Sequence, residues 1–154
     1  MSNDIPTATE ISPTQGLNLD EKQAIEHFFG KTLDEAEALF REHAIYYAED
    51  LMWMGDKGFR FYFQAFCRFL ESVHSEGGAD ALNSLISLLE FRIEYEPQSI
   101  LRAKETILSI LDHCVKHYLK FEIRAEIYGD LRTKLLQLQK IVRELNPTGP
   151  PNGE

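Results

Sequence analysis

His113 and His117 stand four residues apart with Cys114 between them. That spacing stacks two imidazoles on one face of a helix, which is how helices present metal ligands. No Glu follows the pair as in a zinc peptidase, and His27, His43 and His74 are scattered through other segments. At about 100° per residue the pair turns away from Leu108, Leu111 and Val115, so two solvent-facing histidines are the expectation. A carboxylate-bridged metal pair in a helical bundle needs Glu-x-x-His on two helices. The nearest pairs, Glu26-His27 and Glu42-His43, are adjacent in sequence and point in different directions. Nucleophilic chemistry has no better foothold. The chain contains no Gly-x-Ser-x-Gly turn and no phosphate-cradling Gly-rich loop, and Gly77-Gly78 reads as a helix stop. The expectation is therefore no catalytic residue, no metal site and no cofactor.

A recognition surface is better supported. Leu39, Tyr46 and Trp53 recur every seven residues, with His43 and Asp50 on the same side and Glu35, Glu42 and Glu49 in an acidic row beside them. Tyr and Trp combine large apolar area with a polar handle and are enriched at interface hot spots. An adjacent acidic row steers a basic partner. The plainer alternative is a second core edge covered by another helix, with solvated acids at its margin.

The elements that must carry these residues are helices. Residues 1–18 are polar, contain Pro6, Pro13 and Gly16, and lack periodicity, so they read as a flexible arm. A short helix is expected over 20–29, with Gly30 as its stop. Thr32-Leu33-Asp34-Glu35 has the form of a capping box opening a second helix that reaches Met54. Leu33, Ala36, Phe40, Ala44, Tyr47, Leu51 and Met54 alternate steps of three and four along it. The third helix, expected over 57–75, holds Phe59, Phe61, Tyr62, Phe63, Phe66, Phe69 and Val73, and an element so apolar around its circumference should be central. Asp80 is expected to cap a fourth helix that ends at Glu96-Pro97.

From Pro97 to Leu145 the helical period is nearly continuous. A single helix there would span about 70 Å, too long for a compact domain of this size. A break is expected near 120–124 or at Gly129-Asp130. The seam Leu131, Leu135, Leu138, Ile141 and Leu145 either packs within the monomer or pairs with a second copy as a homodimeric scaffold. The result is an all-α fold, an antiparallel bundle of five to six helices. One helical domain, 19–146, lies between the arm and a Pro/Gly tail, 147–154, read as disordered.

Charge narrows the partners. Residues 1–99 carry 7 Lys/Arg and 18 Asp/Glu, a net of −11, whereas 100–145 carry 9 and 6, a net of +3. An overall −9 argues against nucleic acid, whose binding requires a basic surface. The opposite signs attract one another or present an acidic face to a basic protein. Cys67 and Cys114 sit inside helical patterns rather than a disulfide framework. The first residues have neither a basic nor an apolar signal region, and no apolar run approaches the roughly 20 residues that span a bilayer. A cytoplasmic protein without membrane contact is the expectation.

The segment Gly58-Phe59-Arg60-Phe61-Tyr62-Phe63-Gln64-Ala65-Phe66-Cys67-Arg68-Phe69-Leu70, with Tyr128-Gly129-Asp130-Leu131 downstream, resembles a group of all-helical bacterial proteins over the central two-thirds of the chain. The resemblance implies the helical fold and transfers no catalytic residue. In general character the chain is also similar to bacterial toxin-immunity proteins. The leading expectation is a non-catalytic protein-binding module, in its most specific form an immunity or inhibitor protein that neutralises a basic partner through Glu35, Leu39, Glu42, His43, Tyr46, Glu49, Asp50 and Trp53. The alternatives are a metal- or small-molecule-binding helical enzyme using His113, His117 and Cys114, and the homodimeric scaffold.

Overall fold

The computed structural model describes residues 4–14 and 18–147. All its regular elements are helical: α1 (Ala8–Ile11), α2 (Leu19–Phe28), α3 (Leu33–Trp53), α4 (Asp56–Glu71), α5 (Ala79–Tyr95), α6 (Pro97–Arg102), α7 (Lys104–Lys116), α8 (Ala125–Tyr128) and α9 (Leu131–Glu144), with 3₁₀ turns at Val73–Ser75 and Tyr118–Phe121. The fold is all-α, as the periodicity predicts. Among the described residues no helix is long and apolar enough to cross a membrane.

α4 is the hub. Phe59, Phe61, Tyr62, Phe63, Ala65, Phe66, Cys67, Phe69 and Leu70 are all buried along its length. Its neighbours are α3, α1, α6 and α7, so apolar surface is covered on several sides. α3 packs most extensively on α4 and next on α5, and α2 lies against α3. Phe40 stacks on Phe66 at 4.9 Å, and Phe28 meets Tyr62 at 4.9 Å. The Tyr62 hydroxyl shares its proton between the carbonyls of Phe28 (2.7 Å) and Lys31 (2.9 Å), tying α4 to the turn that follows α2. The Thr32–Glu35 capping box forms as expected, with reciprocal contacts of 3.1 and 2.9 Å.

Nine helices appear among the described residues where five or six are expected, and the excess has local causes. Part of the segment read as a flexible arm, residues 4–14, is packed: α1 is closed by a Thr7–Glu10 capping box, and Ile11 is fully buried against α4. The turn at Gly55 and Gly58 makes this approach feasible. A Cβ at Gly55 would stand 2.7 Å from the Glu10 carbonyl oxygen, and one at Gly58 would stand 3.0 Å from it. The Gly55 N–H donates to the Ile11 carbonyl at 2.9 Å.

The third helix ends at Glu71, not Ser75. Ser72 accepts from the His74 N–H and opens a 3₁₀ turn, which leaves Val73 exposed rather than in the core stripe. α5 starts two residues too early for Asp80 to be its cap. Gly78 occupies that position with no side-chain bond, and Asp80 lies in the first turn, where a carboxylate still complements the helix dipole.

The stretch 97–145 breaks at both expected places and at a third. Ala103 separates α6 from α7. Tyr118–Phe121 form a 3₁₀ turn closed by Glu122 at φ 54°, and Gly129 at φ 74° precedes Asp130, whose side chain accepts from the Thr133 N–H at 3.1 Å. α7 and α9 then pack against each other, and Leu131, Leu135, Leu138 and Val142 are buried within the monomer. Ile141 of the expected seam is exposed instead. Apart from Pro147, the C-terminal tail lies outside the described residues, as do 1–3 and 15–17.

Candidate functional site

α3 bends at His43, where the backbone leaves helical geometry (φ −158°, ψ 82°). The His43 Nδ1 lies 3.4 Å from the Tyr46 N–H, so the imidazole caps the second half of α3 much as an N-cap side chain would. This bend divides the seven-residue stripe. On its far side α2 lies against α3, and Asp50 points into that contact instead of outward. Its carboxylate is buried and meets His27 Nδ1 at 2.6 Å, and His27 Nε2 is 3.3 Å from the Tyr46 hydroxyl. Burial raises the Asp50 carboxyl to about 6, with the His27 hydrogen bond opposing that shift. Asp50 is therefore the buried end of an Asp–His–Tyr chain that runs out through half-buried His27 to exposed Tyr46.

The remaining stripe residues divide by exposure. Glu35, Glu42, His43, Tyr46 and Glu49 are exposed, whereas Leu39 is half-buried against the core. Glu35 is also held by its capping bond, whose backbone donor at Thr32 lowers its pKa. Trp53 is half-buried, its ring edge-on to Phe91 at 5.0 Å, and Phe91 in turn meets Tyr95 at 4.8 Å. Spacing within one helix gave no sign of this partner pair on α5, because the contact is between helices.

These rings line the larger part of a furrow between α3 and α5. It encloses about 620 Å³ bordered by Pro13, Glu21, Met52, Trp53, Phe91, Tyr95 and Glu96. Met52 also borders a smaller hollow of about 200 Å³ further along α3, with Ile45, Ala48, Glu49 and Ser84. The lining of both holds three carboxylates and no Lys, Arg or His. Glu21 is fixed in place, its Oε1 accepting from the Ser12 and Thr14 hydroxyls at 2.8 and 2.9 Å. No protein family, curated protein or solved structure matches this chain. The site therefore rests on its own geometry.

Beneath the furrow lies a residue that the sequence marks only faintly. Arg92 is fully buried, and its Nη1 donates to the carbonyls of Leu51 (3.0 Å), Met52 (3.2 Å) and Met54 (2.9 Å), the open end of α3. Its Nε donates to Ser99 Oγ at 3.1 Å, and its guanidinium lies 4.1 Å over the Phe59 ring. Burial lowers its pKa to about 10, so it stays charged at neutral pH. Its position was legible: after Leu85 and Leu89, residue 92 is the next step of the core stripe. Two donors here, Arg92 Nη2 and Trp53 Nε1, are buried without an acceptor.

The histidine pair is placed differently. The His113 and His117 rings lie 4.6 Å apart, and His117 is exposed, as expected, but His113 is half-buried. The Lys120 Nζ stands 3.1 Å from His113 Nε2 and donates to the Leu70 carbonyl at 2.7 Å, placing a cation where a metal would approach. Burial and that lysine lower the His113 pKa. Cys114 is fully buried, and burial pushes its thiol up to about 12. Among the described residues, no three His, Cys, Asp or Glu side chains converge as a metal site would require. The hollow beside them, bordered by Lys116, His117, Lys120 and Arg132, is basic, but Lys120 is committed to Leu70 and Lys116 to Asp112 at 3.1 Å.

Proposed function

We propose that this chain is a non-catalytic protein-binding module that docks a basic segment of another protein along the α3–α5 furrow. In its most specific form it neutralises that partner, as an inhibitor or immunity protein does. One observation carries the reading: the furrow has an apolar, aromatic floor, carboxylates at its edge and no basic side chain in its lining. Aromatic anchors in a concave patch supply most of an interface's affinity, and rim charges set encounter rate and partner choice. Exposed Glu35 and Glu42, further along α3, extend the acidic surface outside the furrow. Crosslinking mass spectrometry of the chain with its captured partners tests the reading. Crosslinks should fall on α3 and α5, and Glu49→Lys should abolish them. Crosslinks confined to α7 and α9, or capture unaffected by Glu49→Lys, would contradict it.

A further inference from the structure

The wide end of the furrow differs from an ordinary apolar docking groove in the arrangement of its rings. Trp53, Phe91 and Tyr95 form a row, each in contact with the next at 5.0 and 4.8 Å. They do not face one another around a hole. Tyr95, the last of the row, is 60% exposed, and Glu96 follows it at the exposed end of α5. Glu21 stands on the opposite wall, anchored through Ser12 and Thr14. Arg92 lies below, bonded to the α3 carbonyls and coupled in charge to Glu96, so Glu21 and Glu96 are the charged side chains of the lining itself.

From this we infer that the groove between Tyr95, Glu96 and Glu21 receives an arginine side chain of the basic partner, a specificity that rests on the binding role proposed above. A guanidinium is flat, so it stacks on an open ring face while its fork meets a carboxylate through two parallel hydrogen bonds. A lysine ammonium is a hydrated point charge with no face to stack. A quaternary ammonium needs rings on several sides, and a row of self-contacting rings does not provide them. The bound arginine would place its stem against Met52 and Phe91 and its head towards Glu96.

The only tryptophan in the chain, Trp53, reports on the groove directly. The test is a fluorescence titration of the full chain with three short capped peptides identical except for arginine, lysine or neutral citrulline. The arginine peptide should shift Trp53 emission saturably, the lysine peptide should bind about tenfold more weakly, and the citrulline peptide should give no shift. Tyr95→Ala and Glu96→Gln, both at exposed positions, should each weaken arginine binding about tenfold with an unchanged far-ultraviolet circular dichroism spectrum. Equal binding of arginine and lysine peptides overturns the inference, as does arginine binding indifferent to both variants. If crosslinks to a basic partner run along α3 and α5 while no arginine peptide shifts Trp53, the arginine site fails and the binding role stands. Arginine binding without any furrow-dependent partner gives the reverse.

Discussion

Two buried polar side chains put contrasting demands on the core. Arg92 has no ion-paired carboxylate, and its charge is held by three carbonyls at the negative end of α3. Removing the guanidinium leaves those acceptors and Ser99 without their donor in a buried setting, at about 1–3 kcal/mol for each group that water fails to reach. Arg92→Met, which keeps the stem, should therefore lose roughly 3 kcal/mol in urea denaturation; a loss below about 1 kcal/mol would mean that water takes over the α3 end. Asp50 works in the opposite sense. Its folded pKa of about 6 lies above the ordinary aspartate value of 3.8, so the native state holds that proton more tightly than the unfolded chain does. This contribution favours folding below about pH 4 and is lost as pH rises through about 6. Asp50→Asn lacks the dependence. Its stability relative to the parent protein should climb between about pH 4 and 6, by on the order of 1–3 kcal/mol, in denaturation measured at several pH values. A difference that stays flat over that window would show that His27 holds Asp50 ionised throughout.

At the scale of elements, the small helix α1 decides more than its length suggests. Ile11 plugs the α4 face, and Pro13 and the Ser12 and Thr14 hydroxyls build one wall of the furrow by fixing Glu21. The junction depends on Gly55. Its backbone (φ −63°, ψ 167°) suits any residue, so the requirement is space alone. Gly55→Ala places a methyl 2.7 Å from the Glu10 carbonyl oxygen and 2.8 Å from the Pro13 ring. It should cost about 1–3 kcal/mol and speed amide exchange across residues 8–14. Unchanged protection there would show that the segment moves aside without letting go. α9 shows the complementary case. Leu135 is fully buried and Leu138 is 2% exposed against α7, whereas Ile141 of the same expected seam stays 44% exposed.

Over the whole molecule, the two halves of opposite charge meet sparingly. Arg102 reaches Asp56 at 2.9 Å across the divide. Other basic groups of the second half close helix ends: Lys104 donates to the Arg143 and Leu145 carbonyls, and Lys120 to that of Leu70. The acids of the first half are left to define the outer face of α3 and the furrow edge. Such a surface favours encounter with a basic partner most strongly at low ionic strength, where screening is weakest.

By itself the sequence determined the all-α class, the central place of the Phe-rich segment, the Thr32 cap and the acidic face of α3. These depend on a period of 3.6 residues and on contacts within a turn or two, which a linear chain displays directly. Tertiary structure alone decided that Asp50 turns inward to His27 and that α1 folds onto α4. It also decided that Trp53 meets Phe91, itself against Tyr95, to make a groove. Each joins residues brought together by the packing of different helices, and the spacing along any one helix carries no record of which neighbour will cover it.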